Sequence, residues 1–305
     1  MSKLAFVVPT KDRPDDLRRM LASLRAQTRL PDQIIIVDGS DPVVRHVVEE
    51  FPDLKADYVR VFPPSLARQR NAGMQRLRAD ITLAGYLDDD VVLEPDAIEK
   101  MISYWNRAPG DLGGTVFNIT NTGPPNWVRV KSLFWVDHPV PGKVLASGCT
   151  SILGNQGSNI ETDWLCGGAT VWKREVVERF PYDEWFQGTG YLEDVDYSFS
   201  VRSQYRLALV SDARLAHYSP PVKKDRHRLL GKWQITNRMY FVRKHRARGM
   251  SLYKAWVASF ALLGLHLAQG LLRFDIDGLN RARGNAAGII DEILGRTQRV
   301  GGYLK

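Results

Sequence analysis

Three consecutive aspartates, Asp88 to Asp90, directly follow the apolar segment ITLAGYL. Carboxylates crowded at the end of a buried strand repel one another, so a divalent cation or a ligand hydroxyl is their natural compensator. Oxygen ligands of this kind suit Mg²⁺ or Mn²⁺, which keep water molecules and bind substrate phosphates in their remaining positions. The triplet therefore predicts a metal-dependent phosphate site. A solvated acidic turn is the alternative.

Polar residues also follow two earlier apolar runs. Residues 10–13 (TKDR) follow the first run, and residues 38–41 (DGSD) follow the run QIIIV. Ligands of open parallel sheets bind beyond the carboxyl ends of the strands, so we expect these loops to border the same site as the aspartates. The segment DGS is equally compatible with a helix N-cap turn.

Strand and helix patterns alternate along the first half of the chain, and these elements must position the loops. The predicted strands are 4–9, 33–37, 58–62 and 81–87, and the predicted helices are 14–25, 42–51, 66–78 and 95–105. This alternation predicts an α/β fold with an open, mostly parallel nucleotide-binding sheet. A strand at 164–172 and helices near 173–179 and from Asp194 follow. Residues 118–160 are predicted to form a functional loop region over the site.

Several segments together resemble glycosyltransferase family 2 in their order and spacing. They are VVPTKDRP at 7–14, IVDGS at 36–40, RNAG at 70–73, LDDD at 87–90 and EDVD at 193–196. The resemblance covers roughly residues 4–218. It implies the A-type glycosyltransferase (GT-A) fold, which is Rossmann-like, in an inverting transferase that uses a nucleotide-diphosphate sugar.

The resemblance also implies roles for individual residues. The nucleotide-sugar site would contain Pro9, Thr10, Arg13, Asp38, Ser40, Arg68, Asp88 and Asp89. Asp38 would read the base edge, and a carboxylate can accept from a uracil or thymine N3–H, which favours UDP or dTDP. Arg68 matches the family's basic residue near the nucleotide more closely than Arg70 does. Asp90 would bind the metal, and His217 matches a third ligand of several members, although a lone histidine is more often structural.

Glu193 and Asp194 are the implied catalytic residues. Asp194 matches the family's base, which takes the proton from an acceptor hydroxyl as that oxygen attacks the anomeric carbon opposite the leaving diphosphate. The alternative is that both acidic side chains only stabilise a helix N-terminus.

The net charge of +8 is concentrated in one C-terminal segment. Residues 223–248 contain ten lysines or arginines and one acid, Asp225, which gives a net charge of +9. The uncharged run 255–272 follows and reaches the lower limit for a membrane span. On a helix it places Ser259 and His266 on one stripe and Trp256 and Leu271 on another. This favours an amphipathic helix on an anionic membrane surface, and leaves a spanning helix or an ordinary core helix open.

Composition and cysteine spacing narrow the class of protein to which this chain can belong and the compartment in which it is found. The chain has 305 residues, of which 44% are hydrophobic and 25% charged, as in globular proteins. Cys149 and Cys166 have neither disulfide nor zinc spacing, and the N-terminus does not resemble a signal peptide, so we predict a cytoplasmic protein. The predicted domains are a glycosyltransferase domain at 1–222, with a nucleotide half at 1–117 and an acceptor and base half at 118–222, and a basic helical region at 223–305.

The predicted reaction moves one hexose or deoxyhexose from a UDP- or dTDP-sugar to a hydroxyl of a lipid-linked or cell-surface glycan, at the cytoplasmic face of the membrane. Residues 234–239 (QITNRM) lack the tryptophan of the Q-x-x-R-W motif of processive synthases, which favours single transfer. A nucleotidyltransferase acting on sugar phosphates is the alternative, but residues 9–12 contain no glycine for a phosphate loop. The other alternative is a non-enzymatic basic module that binds membranes or nucleic acid. It leaves the carboxylates at the strand end unexplained, so we do not expect a nucleic-acid partner. A homo-oligomer is left open.

Overall fold

The computed structural model describes residues 2–123, 128–188, 190–219 and 221–297. Along the chain the elements are β1 (Leu4–Thr10), α1 (Pro14–Arg25), β2 (Gln33–Asp38), α2 (Arg45–Glu49), β3 (Asp57–Arg60), α3 (Leu66–Met74), β4 (Leu83–Leu87), β5 (Val91–Leu93), α4 (Ala97–Trp105), β6 (Leu112–Ile119), α5 (Val128–Ser132), β7 (Ile160–Glu161), β8 (Ala169–Lys173), α6 (Arg174–Arg179), α7 (Glu193–Val201), β9 (Arg206–His217), α8 (His227–Lys244), α9 (Leu252–Leu272) and α10 (Ile276–Ile293). These residues form two compact units, Met1–Pro124 with Leu153–Ser219 and Pro125–Ile152 with Pro220–Lys305.

The first unit is built on one mixed sheet with the strand order β3-β2-β1-β4-β8-β6-β9-β5, and β7 pairs with β9. Strands β3, β2, β1 and β4 are all parallel, as the sequence predicts. Antiparallel pairing enters where β8 runs between β4 and β6. The predicted α/β fold with an open sheet is therefore confirmed, and the carboxyl ends of β1, β2 and β4 lie along one edge.

Two predicted elements are shorter in the structure because side chains take up their backbone amides. Helix α2 begins at Arg45 rather than 42, since the Asp38 carboxylate accepts from the amides of Ser40 and Val44 and holds the intervening chain as a loop. Strand β8 begins at Ala169 rather than 164. Ahead of it, the amides of Leu165 and Gly167 donate to side chains of α7 instead of a neighbouring strand.

The second unit is helical. Helices α8 and α10 run in the same direction, because His227 at the start of α8 lies 3.4 Å from Asp277 near the start of α10, and Arg243 near the end of α8 pairs with Glu292 near the end of α10. Helix α9 connects them and runs the opposite way. Residues 128–152 belong to this unit, whereas the predicted domains group them with 118–222. Within the unit, the amide of Ser251 donates to the carbonyl of Ala146 at 2.7 Å. The functional halves 1–117 and 118–222 stay a prediction.

Candidate active site

The acidic triplet lies directly after β4, beside the loop that follows β1. Asp89 and Asp90 are buried. The Thr10 hydroxyl donates to Asp89 Oδ2 at 2.7 Å, and Arg13 Nη1 lies 3.2 Å from Asp89 Oδ1 and 3.0 Å from Asp90 Oδ2. Burial raises the pKa of Asp89 to about 7, against the lowering effect of Arg13. The structure thus brings Thr10, Arg13, Asp89 and Asp90 together, as the sequence predicts.

Asp88, Asp90 and His217 form a group whose ligand atoms all lie within 4.8 Å of one another. His217 reaches the group because β9 pairs with β5, which follows the triplet. Its Nε2 lies 2.8 Å from Asp90 Oδ1. Two carboxylates and an imidazole fit the ligand set of a divalent cation such as Mn²⁺.

Arg70, which the sequence prediction ranked below Arg68, is the first site residue that the prediction did not assign. Its fully buried guanidinium lies 3.0 Å from Glu193 Oε1 and 3.3 Å from Asp88 Oδ1. It also stacks over Tyr182, 5.0 Å from the ring centroid. Arg70 therefore connects the predicted metal group to the predicted catalytic pair.

Arg68, which the resemblance favoured over Arg70, is half-buried. Within the described residues, no hydrogen bond or ion pair joins Arg68 to the acidic group. Helical spacing could have shown which of the two arginines faces inward. Arg70 lies three residues from both Ala67 and Gly73, which are buried. Arg70 thus shares the inward face of α3 and Arg68 does not.

Glu193 and Asp194 begin helix α7, and Glu193 lies against the guanidinium of Arg70. Asp194 accepts from the amide of Val195 at 2.8 Å and from that of Gly167 at 3.2 Å. Burial raises the pKa of both carboxyls, and the charge of Arg70 opposes that rise. A carboxylate whose proton affinity is raised above the ordinary range is suited to accept a proton from a hydroxyl.

Two glycines let the backbone pass close to these carboxylates. A Cβ at Gly168 would lie 2.0 Å from Asp88 Oδ2, and a Cβ at Gly190 would lie 2.5 Å from the Glu193 carboxyl carbon. Gly190 also has a positive φ of 60°, which disfavours other residues. Any side chain at either position would displace an acidic group of the site.

Asp38 and Ser40 lie at the same edge of the sheet, but their polar atoms are engaged in shaping the loops. Both oxygens of Asp38 accept bonds, one from the Ser40 amide and the other from the Val44 amide and the Tyr58 hydroxyl. The Ser40 hydroxyl accepts from the amide of Asp12, which ties the loops after β1 and β2 together. That Asp38 reads a nucleotide base stays a prediction. Pro9 is buried within β1 and its role is likewise untested.

Gln69 is a second residue that the prediction missed. Its buried side-chain amide donates to the carbonyls of Thr10 at 3.0 Å and Val37 at 2.8 Å. Since Thr10 ends β1 and Val37 is the next-to-last residue of the adjacent β2, Gln69 fixes the positions of the loops that follow these strands.

Comparisons with known proteins agree with this architecture. The family model of Glycosyl transferase family 2 matches residues 5–180. O-antigen biosynthesis protein RfbC of Myxococcus xanthus is 25% identical over 230 residues, which are 71% of this chain and 17% of that protein. The chain therefore spans about a sixth of the length of this curated relative.

Among solved structures, GalNAc-T7 with UDP, GalNAc and Mn²⁺ is similar with a TM-score of 0.57 and 16% identity, over 80% of this chain and 51% of that chain. Residues 1–349 of S. aureus TarS are similar with a TM-score of 0.51 and 14% identity, over 99% of this chain and 93% of that one. These likenesses show the fold, which is the GT-A fold predicted from the sequence.

Proposed function

Because this chain belongs to glycosyl transferase family 2, we propose that it is a metal-dependent, inverting glycosyltransferase that moves one sugar from a UDP- or dTDP-sugar to a hydroxyl of a glycan. The observation that carries this proposal is the group of Asp88, Asp90 and His217 at the sheet edge, joined through Arg70 to Glu193, the residue before Asp194. One end of this arrangement suits a diphosphate, and the other end suits an acceptor hydroxyl.

The donor is proposed to bind over the carboxyl ends of β1, β2 and β4. Thr10, Arg13 and Asp89 form one hydrogen-bonded group there, so they would contact the nucleotide sugar as a unit. The UDP of the GalNAc-T7 structure supports a uridine nucleotide, and the loop shaped by Asp38 is the proposed position of the base. We keep dTDP as the second donor class, because thymine offers the same N3–H.

A divalent cation would be held by Asp88, Asp90 and His217. When bound, it would neutralise the diphosphate and stabilise it as the leaving group. The chemistry of these three ligands supports this assignment, as does the Mn²⁺ in the GalNAc-T7 structure. Either Mg²⁺ or Mn²⁺ suits this ligand set.

Asp194 is proposed as the general base, with Glu193 beside it. The Asp194 carboxylate is oriented by two backbone amides and would take the proton of the acceptor hydroxyl. Glu193 and Arg70 would hold the surrounding charge fixed while that proton is transferred.

A lipid-linked or cell-surface glycan is the proposed acceptor class. RfbC, named for O-antigen biosynthesis, supports a role in building surface polysaccharide. Such an acceptor would place the enzyme in the cytoplasm or at the membrane.

The test measures nucleotide release from a panel of UDP- and dTDP-sugars, with Mn²⁺, Mg²⁺ or a chelator, for wild type, Asp90→Asn and Asp53→Asn. Asp53 is exposed and remote in sequence from the acidic group, so it serves as the matched control. We expect release that requires a divalent cation, is lost in Asp90→Asn and is retained in Asp53→Asn. Equal release in the chelator would refute the metal assignment. Pyrophosphate released from a nucleoside triphosphate and a sugar phosphate would identify a nucleotidyltransferase instead.

A further inference from the structure

Helix α9 points two polar side chains, Ser259 and His266, into the helical unit. Ser259 is fully buried and accepts from Arg238 Nη2 at 3.1 Å. His266 is buried and lies 2.7 Å from Asn285 Oδ1 through its Nδ1. Ser259 and His266 of the predicted polar stripe therefore fix α9 against α8 and α10, whereas Gln269 and Arg273 of the same stripe are exposed.

The opposite face of α9 is apolar and exposed. Phe260 is 54% exposed and Leu271 is 64% exposed. The exposed apolar surface continues around the corner into α10 through Leu272, Phe274 and Ile276, which are 80%, 90% and 71% exposed. Large contiguous apolar surfaces of this kind mark sites that bind a partner or a membrane. We call this surface the α9 face.

Among the described residues, α9 is the one helix that is long and apolar enough to cross a membrane, with 28% of its apolar window buried. Spanning is disfavoured because α9 is bonded to two helices that carry ion pairs, Lys232–Asp291 and Arg243–Glu292. Taking those charges into hydrocarbon would be costly. The α9 face can instead enter the headgroup region at the membrane surface, while the charged helices α8 and α10 stay outside the membrane.

Exposed cations lie near both ends of the α9 face. Seven of the ten basic residues of 223–248 are exposed, namely Lys223, Lys224, Arg226, Arg228, Lys244, Arg246 and Arg248. The first four precede or begin α8, whose His227 lies 3.4 Å from Asp277 at the start of α10, next to the end of α9. Arg246 and Arg248 lie just before α9 begins. A cationic group at each end of an apolar helix complements anionic headgroups around an inserted face.

We propose that the α9 face docks on an anionic lipid bilayer, with the helix axis in the plane of the membrane. The charge favours this occupant over a second copy of the chain, because two copies joined by this face would bring like-charged groups together. The inference concerns a binding surface and does not depend on the proposed reaction.

The first test is flotation of the full chain with vesicles of phosphatidylcholine, with and without phosphatidylglycerol. The variant Phe260→Gln/Leu271→Gln removes apolar contacts from the α9 face, and Leu30→Gln/Phe62→Gln is the matched control, since those side chains are 45% and 58% exposed in the other unit. We expect wild type and the control to bind anionic vesicles and the α9 variant to bind at least tenfold more weakly. Circular dichroism and thermal unfolding must show that the variants are folded.

The second test separates charge from insertion. Salt screens charge over about 8 Å at physiological ionic strength but does not screen apolar insertion, so high salt should weaken binding in part. Arg246→Gln/Arg248→Gln should weaken binding at low salt, whereas Arg76→Gln/Arg107→Gln in the other unit should not.

A third measurement uses tryptophan fluorescence. Brominated lipids should quench the tryptophan fluorescence of the wild-type protein on binding, and Trp256→Phe should lose part of that quenching. The proposal is overturned if wild type stays unbound at low salt, or if the folded α9 variant floats as well as wild type. It is also overturned if size-exclusion chromatography shows a wild-type dimer that only the α9 variant dissociates.

Discussion

Replacing Arg70 with methionine should destabilise the first unit by leaving Glu193 buried without its partner. The Arg70–Glu193 pair is inaccessible on both sides, with side-chain exposures of 1% and 6%. Removing one partner of such a pair typically costs about 3–5 kcal/mol, because the other charge stays desolvated. The contact with Asp88 adds less, since the side chain of Asp88 is 27% exposed.

The loss of stability in Arg70→Met should depend on pH in a defined direction. Burial already raises the pKa of Glu193, and Arg70 is the charge that opposes the rise, so the variant raises it further. The folded state then holds a proton that the unfolded chain releases. Because the unfolded-state pKa is common to both proteins, the free energy of unfolding of the variant, relative to wild type, falls as the pH rises from the wild-type pKa of Glu193 to its higher pKa in the variant.

Urea unfolding at about pH 6 and about pH 8.5 measures this effect. We expect the larger loss at the higher pH, and Arg70→Met/Glu193→Gln should recover most of it because no buried charge remains. Arg68→Met, two residues away on α3 and outside the acidic group, should change stability by less than about 0.5 kcal/mol. If the losses from Arg70→Met and Glu193→Gln simply add, or if the loss is the same at both pH values, the two side chains do not act as a buried ion pair.

Three further changes test other parts of the structure. Asp194→Asn should lower turnover by about 10² to 10⁴ and leave the affinity for UDP unchanged by calorimetry; a loss of UDP binding would place the residue in the donor site instead. Gly168→Ala should weaken metal-dependent UDP binding, because the added Cβ would lie 2.0 Å from Asp88 Oδ2, and wild-type affinity would contradict the close approach. Burial lowers the pKa of His266, so stability present above the ordinary histidine range should fall as the pH drops below it. Thermal unfolding at about pH 7.5 and about pH 5.5 should show a smaller drop for His266→Gln than for wild type, and equal drops would exclude His266 as the cause.

The sequence predicted the parts of this protein that depend on short-range patterns. Buried parallel strands read as continuous apolar runs, which located β1, β2 and β4 to within a few residues. Because the carboxyl ends of such strands share an edge, Thr10, Arg13 and Asp89 could be assigned to one place before the structure. The family motifs lie in the same loops, so the fold and the family followed from the same residues.

Only the tertiary structure decided which side chains meet across long separations. Arg70 and Glu193 are 123 residues apart, and their contact follows from how α3 and α7 pack, which no local pattern encodes. The orientation of α9 was open for a similar reason. An amphipathic helix has two faces, and its polar stripe can be satisfied by water or, as here, by Arg238 and Asn285. Hydrophobic periodicity fixes the faces of a helix, but only the neighbouring elements fix which face is buried.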